Sequence, residues 1–455
     1  MKVLTVSHGF PPDQMAGAEI YAYKVSLGLK DRGVDVTVFA PGSRPNAAEY
    51  DIVEETVDGL RVMRLNNNFL DLHDLASTYA NPDIEAVFEE FLRQEKPDVV
   101  HIHHTIGTTA NNIAIAKQSG AKVIVTLHDF WFQCARGQRL TPRNHLCTEV
   151  QPWRCSLCVG KKRVRYLINY VTDSVKGKTR DQRSDGRLSG LVKFPFRLVG
   201  YVWNETALSP ITRRNEVMQE SLAQADVILA PAQFIADRYV EEGTPEEKIR
   251  IWPYGLDEGR FGSADRLPEP RQDGPLRFGF VGTLIPSKGV DLLVSAFQSV
   301  SPGQATLEIH GSAAGPNAAS YDASLKKLNQ HQDLTFHGRF DNKRIVEILS
   351  RFDVLIVPSR WFENAPLTLA ESVMARLATI TTGHGGMLEL ANNFGNAITF
   401  EANSHESLLA AMQKLIDDRA LVDSLKAKGA GVRTVADDID GLQALMADLL
   451  QPTLD

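Results

Sequence analysis

Two glutamates with seven residues between them, Glu363 and Glu371, bracket the segment of this chain best suited to chemistry. An apolar run from Asp353 to Pro358 reads as a strand, and Pro366 to Leu377 reads as a helix. Asn364 is expected to cap that helix, with Pro366 in its first turn, where a missing N–H costs little. Ala370, Val373, Met374 and Leu377 fall on one helical stripe that would pack on a sheet. A helix starting at the carboxyl edge of a sheet offers free N–H groups and a positive dipole end to an anion such as a diphosphate. Glu363 just before the helix and Glu371 inside it stand roughly 10 Å apart along the axis, at a rise of about 1.5 Å per residue. Held so, the two carboxylates can grip two separate hydroxyl-bearing pieces of one ligand. An ordinary capped helix with one solvated glutamate accounts for the same residues.

Other candidates sit at similar turns. Gly282, Thr283 and Lys288 lie between a strand and a helix start, with Lys288 a point charge beside helix N–H groups but without Walker A spacing. Gly385, Gly386 and Glu389 form a glycine-rich turn with an acid close behind. In the first half, Ala16-Gly17 precedes a helix, and Gly17 allows a ligand to approach backbone N–H groups. His101, His103 and His104 end one strand, and His128 with Asp129 ends another. Strand alternation sends His101 and His103 one way and His104 the other, which argues against a single metal there. A dinucleotide fingerprint is absent; Gly311 to Gly315 is a poor match.

These turns need a scaffold. The chain has 455 residues, too many for one core. At 43% hydrophobic and 23% charged it is an ordinary globular composition, and a net charge of −7 gives no overall drive toward nucleic acid. Met1 to His8 has too short an apolar run for a signal peptide, and no run reaches the length of a membrane span, so a cytoplasmic protein is expected. Strand-like runs at Lys2–Ser7, Val34–Ala40, Arg61–Leu65, Asp98–Ile102, Lys122–Leu127 and Asp226–Ala230 alternate with helical patterns. After a Pro- and Gly-rich stretch ending at Pro275 the alternation restarts and runs to Phe400. The expected class is α/β, with two doubly wound Rossmann-like domains facing across a cleft. The divisions are an N-terminal domain over 1–270, a C-terminal domain over 271–430, and a last helix over 431–455 whose domain is left open.

The ordered set of Gly17, Gly282 to Gly289 with Lys288, Tyr254 to Asp257, the Glu363 and Glu371 pair, and Gly385-Gly386 with Glu389 resembles the retaining glycosyltransferases of family 4 (glycosyl transferases group 1). The resemblance spans most of the chain and is strongest from about 225 to 395. It implies the GT-B fold, a nucleotide-diphosphate sugar donor on the C-terminal domain and an acceptor on the N-terminal domain. It implies that Lys288 binds the donor diphosphate, that Glu363 lies by the donor sugar and that Glu371 holds the ribose. Backbone N–H groups near Asn364, Ala365, Pro366 and Leu367 would meet sugar hydroxyls and phosphate, Gly17 would lie near the phosphates, and His128 would lie beside the reaction centre. The chemistry so implied needs no divalent metal. Thr283 departs from the pattern, since the family commonly has Arg there, and Arg339 or Arg360 are candidates to replace it. Ala16-Gly17 departs where the family often has Gly-Gly.

All four cysteines, Cys134, Cys147, Cys155 and Cys158, fall in one segment. In a cytosolic protein that clustering favours structural zinc over disulfides, with free thiols as the alternative. The segment belongs to a Cys-rich and basic insert over about 131–215. From Lys161 to Arg197 there are eleven Lys or Arg and three Asp. Over 161–203 a basic amphipathic helix with aromatic residues reads either as a peripheral contact with the inner face of a membrane or as an insertion packed on its own domain. The function expected is sugar transfer to a glycan or lipid-linked acceptor in surface polysaccharide or glycolipid synthesis. A nucleotide-sugar epimerase, a phosphorylase and a non-catalytic scaffold on the same fold are the alternatives.

Overall fold

The computed structural model describes residues 1–159, 204–257, 259, 261, 274–315, 317–429 and 431–451. The basic stretch 161–203 therefore lies outside the described residues.

The first half builds an eight-stranded sheet from β1 (Lys2–Val6), β2 (Asp35–Gly42), β3 (Ile52–Val57), β4 (Leu60–Asn66), β5 (Val99–Ile102), β6 (Lys122–Thr126), β7 (Val227–Ala230) and β8 (Ile249–Ile251). Its order is β3-β4-β2-β1-β5-β6-β7-β8. All neighbours are parallel except β3 with β4. Among the described residues the helices that accompany it are α1 (Gly17–Asp31), α2 (Pro82–Glu95), α3 (Asn112–Gln118), α4 (Pro152–Val159), α5 (Asn204–Ala223) and α6 (Gln233–Glu241). Valine- and isoleucine-rich strands buried on both faces carry a core on each side of the sheet.

Two strands depart from the sequence expectation. β3 is missing from it because Ile52-Val-Glu-Glu-Thr-Val carries a mostly polar face at a sheet edge. Its signal is the Asp58-Gly59 turn, whose φ values of 48° and 74° give a two-residue hairpin. β8 has three residues, too few for any periodicity.

The second half builds a six-stranded, all-parallel sheet from β9 (Leu276–Val281), β10 (Ala305–His310), β11 (Leu334–Gly338), β12 (Val354–Val357), β13 (Ala378–Thr382) and β14 (Ala397–Phe400), in the order β11-β10-β9-β12-β13-β14. Its helices are α7 (Val290–Phe297), α8 (Ala318–Leu328), α9 (Ile345–Leu349), α10 (Leu367–Met374), α11 (Gly385–Phe394), α12 (His405–Asp417) and α13 (Arg419–Lys428). The glycine-rich stretch at Gly385 is thus the start of α11 rather than only a turn.

The last helix, α14 (Val435–Leu449), returns to the first sheet. Ile439, Leu442, Leu445 and Met446 join Tyr21, Val25 and Leu29 of α1 in one core. Asp438, 2% exposed, accepts from the Trp252 indole at 2.6 Å and the Gly255 N–H at 2.8 Å. A buried carboxylate that accepts at both of its oxygens fixes where the chain crosses back.

Candidate active site at the meeting of the two sheets

The C-terminal wall is built on two loops. The first follows β9 and ends in a single 3-10 turn, Pro286–Lys288. Gly289 follows it with φ 69°, and a Cβ there would lie 2.0 Å from the Pro358 carbonyl. Only glycine lets this loop seat on the end of β12, and that seating carries Lys288 toward the second loop. The Lys288 Nζ lies 2.5 Å from Glu363 Oε1, and the Ser359 hydroxyl donates to the same oxygen at 2.7 Å. Glu363 is 5% exposed, so its charge is held by these two partners rather than by water.

Arg360 braces the base of the two loops. Its guanidinium meets Asp291 at 2.6 and 2.9 Å and donates to the Pro286 carbonyl and the Asn403 side chain. With those donors committed, Arg360 does not stand in for the arginine expected at Thr283. Thr283 itself is exposed, and so is Arg339 at the carboxyl end of β11.

Asn364 is not the cap of α10. That position is Pro366, with no side-chain cap. The Asn364 side chain instead reaches the other sheet and donates to the His128 carbonyl at 2.8 Å. Ala365, Pro366 and Leu367 line a cavity between the sheets with Pro231, Tyr254 and Arg433. Glu371 sits half-buried on α10. Gly386 is the second close approach: a Cβ there would meet the Asn364 carbonyl at 1.7 Å, so α11 can abut the Glu363–Asn364 backbone only because the side chain is absent.

The N-terminal wall is an array of imidazoles at the carboxyl ends of β1, β5 and β6. His101, His103 and His104 are all buried rather than solvent-facing strand ends. His101 and His103 do share a side, their rings 4.0 Å apart. His103 Nδ1 lies 3.1 Å from His128 Nε2, and the Tyr254 hydroxyl lies 2.7 Å from His128 Nδ1. Burial pushes the pKa of His101 down to about 3 and those of His103 and His128 well below the usual value. All three are therefore neutral at physiological pH. His104 faces Asp129 at 3.4 Å, and burial still lowers it against that carboxylate.

One charged pair lies in this wall. His8 Nε2 is 3.0 Å from Glu19 Oε1. Burial opposes the charge on each. The neighbour's charge and hydrogen bond nevertheless raise the His8 pKa and bring Glu19 down to about 2. Gly17 opens α1 nearby in sequence and is exposed, with no atom within 4 Å of where a Cβ would stand. Type and spacing do not single out His8 and Glu19, and Tyr254 and Glu389 enter as members of a motif set without these contacts. Only the assembled sheet edges show what they touch.

Glu389 closes the two walls together. Its carboxylate oxygens accept from the Gln233 and Phe234 N–H groups, each at 2.8 Å. Those are orphan donors at the start of α6, whose own cap residue Ala232 supplies no side-chain bond. Phe234, Phe362 and Phe130 pack beside this contact.

The four cysteines carry free thiols and are only partly buried. They lie near enough that burial, followed by the neighbouring thiols Cys134, Cys147 and Cys158, pushes Cys155 up to about 12. Their sulfurs do not form a set of three within 4.8 Å; among the described residues that spacing is met by Glu308, His310 and His337. No helix among the described residues is long and apolar enough to cross a membrane.

Two facing Rossmann-like sheets with a charged loop pair on one side and a histidine wall on the other define a GT-B protein. The solved structures it resembles share that architecture. Sucrose-phosphate synthase from Thermosynechococcus elongatus superposes with a TM-score of 0.63 at 16% identity, over 98% of this chain and 97% of that one. Anabaena HepE in complex with UDP and glucose gives 0.61 at 13%, over 98% and 99%. In sequence, a family model described as glycosyl transferases group 1 matches residues 264–431, and one described as a glycosyl transferase 4-like domain matches 16–153. Glycogen synthase of Mycobacterium tuberculosis is 23% identical over 463 aligned positions, 96% of this chain and 91% of the relative. 2-Deoxystreptamine glucosyltransferase of Streptomyces kanamyceticus is 24% identical over 44% of this chain and 52% of its own length. The chain belongs to the group 1, family 4 glycosyltransferases and is a glycosyltransferase enzyme.

Proposed function

We propose that this enzyme moves a sugar from a nucleotide-diphosphate sugar to a glycan or lipid-linked acceptor, with retention of anomeric configuration, in the synthesis of a surface polysaccharide or glycolipid. The observation that carries the reading is the Lys288–Glu363 contact at the start of α10, where one cation, one carboxylate and a helix N-terminus converge. The solved HepE structure, which holds UDP and glucose, supports a donor of this class.

In this reading the donor diphosphate takes Lys288 as its counter-charge, and the N–H groups from Asn364 to Leu367 and the dipole of α10 add to it. Glu363, released from Lys288, accepts from hydroxyls of the donor sugar. Glu371 holds the ribose, Gly17 leaves room for the phosphates, and His128 borders the sugar from the opposite wall. The developing charge on the leaving phosphate is stabilised on the face from which the acceptor hydroxyl arrives, so configuration is retained. No step requires a metal. A peripheral contact with the inner membrane face through 161–203 would bring a lipid-linked acceptor to the cleft.

Thermal melts of the full chain with UDP, GDP, ADP, CMP and dTDP sugars test the donor. At a ligand concentration about a hundredfold above Kd the folded state gains about 2.7 kcal/mol, enough to raise Tm by several degrees. A rise with one nucleotide class that is lost in Glu371→Ala supports the site. No rise with any member returns the scaffold reading to the front. With the donor known, NMR of the product's anomeric proton settles stereochemistry, and inversion would sink the retaining mechanism.

A further inference from the structure

We propose that Glu308, His310 and His337 form a binding site for a divalent transition-metal ion of the zinc type, separate from the sugar-transfer site. Glu308 and His310 are two residues apart on β10, and His337 lies on the adjacent edge strand β11, so all three share one face of the sheet. The two imidazole rings stand parallel, 4.2 Å apart with 5° between their planes. Both direct Nε2 at the same carboxylate oxygen, Glu308 Oε2, each at 3.1 Å.

That spacing matches a tetrahedral edge. Zinc bonds to histidine nitrogen and carboxylate oxygen of about 2.1 Å place neighbouring ligand atoms about 3.4 Å apart. The three ligand atoms all lie within 4.8 Å of one another, so an ion enters with small side-chain movements. The second carboxylate oxygen, Oε1, is bonded by Arg351 Nη2 at 3.0 Å, which orients the ligand without occupying the metal-facing oxygen. His310 is 4% exposed, while the side chains of His337 and Glu308 remain open at 29% and 23%, leaving a path for the ion and room for a water as fourth ligand.

The strand pairing is also irregular here. Glu308 pairs with Thr335 and Ile309 with Phe336, but His310 pairs with Gly338, so His337 is the extra residue of a bulge. Bulges commonly re-aim one side chain and end a ladder at a functional position. The ion would tie the edge strand to its neighbour at the point where Gly311 N–H meets the Gly338 carbonyl and Gly282 N–H meets the His310 carbonyl. Its role is to hold the backbone from which the Lys288 loop departs. It does not contact reacting atoms.

The test uses the full chain, purified without chelator and equilibrated with buffered Zn²⁺ at sub-micromolar free concentration. Wild type should retain one equivalent more than His337→Gln and Glu308→Gln, and Zn²⁺ should raise the Tm of wild type by more than that of either variant. His337 is exposed on an edge strand, and unchanged circular dichroism would show that its variant folds. Substituting Co²⁺ separates this site from the cysteines, because thiolate ligands give an intense charge-transfer band and a nitrogen-and-oxygen site gives d–d bands alone. Equal metal in wild type and both variants, or a spectrum whose only signal is thiolate, would overturn the proposal.

Discussion

On the N-terminal wall of the cleft burial keeps His101, His103 and His128 neutral beside the one charged pair His8–Glu19, whereas on the C-terminal wall Lys288, Glu363, Arg360 and Asp291 are charges held in pairs. His103 hydrogen-bonds to His128, His128 to Tyr254, and His101 to Thr126. Lys288 faces Glu363, and Arg360 faces Asp291. A neutral buried wall positions by shape and hydrogen bonds. It cannot supply much counter-charge to a diphosphate without first taking up protons against its own desolvation. A wall of charge pairs can, because an incoming anion replaces one partner of a pair that is already desolvated.

The sharpest way to break this comparison is Lys288→Ala. It should cost about 10²–10³-fold in kcat/KM, the range seen when one charge-stabilising donor is removed from a transition state. Lys288→Arg should restore little, because a planar fork does not reproduce a point charge. Steady-state kinetics on the identified donor read both, and a Lys288→Ala enzyme within tenfold of wild type would place the counter-charge elsewhere.

The next effect is on stability against pH. A buried histidine with a lowered pKa contributes stability that is complete above the unfolded value of 6.5 and is lost as pH falls toward its folded value, about 3 for His101. His103, His104 and His128 act in the same direction. Glu19 adds stability present above its unfolded value of 4.5 and lost as pH falls toward about 2. His8 has the opposite sign among the histidines: its stabilisation is complete below 6.5 and is lost as pH rises through its raised value. Tm should therefore fall steadily from pH 6.5 to pH 4, and His101→Gln should flatten that slope. An unchanged slope in the variant would remove His101 from the account.

A smaller effect is expected from Glu389→Ala. Removing a capping carboxylate costs about 0.5–2 kcal/mol. Here the cap joins the two sheets, so the loss should appear both as a lowered Tm and as a wider distribution of shapes in small-angle scattering. A lowered Tm with unchanged scattering would make Glu389 a local cap only. Smallest is Tyr254→Phe, which removes one hydrogen bond to His128 at about 0.5–1.5 kcal/mol. It should raise acceptor KM more than it changes kcat.

Much of this protein is determined locally. All six strands of the second sheet follow from short apolar runs bounded by turn residues, and most helices between them follow from 3.6-residue periodicity. The residue sets at Gly282–Lys288 and Glu363–Glu371 identify a family because each is a contiguous turn whose backbone chemistry is written in its own residues. β3 escapes because an edge strand needs only one apolar face, and the start of α11 escapes because Gly385-Gly386 has poor helix propensity and is there for close packing. What the tertiary structure alone decides are contacts between groups far apart in the chain. Asn364 bonds His128 instead of capping its own helix, Glu389 caps a helix of the other sheet, and Arg360 is spent on Asp291 rather than left for a ligand. Glu308 and His310 meet His337 only once β10 and β11 pair. Periodicity and turn chemistry are properties of neighbouring residues, whereas the partner of a buried polar group is set by which surfaces the finished sheets bring within 3 Å.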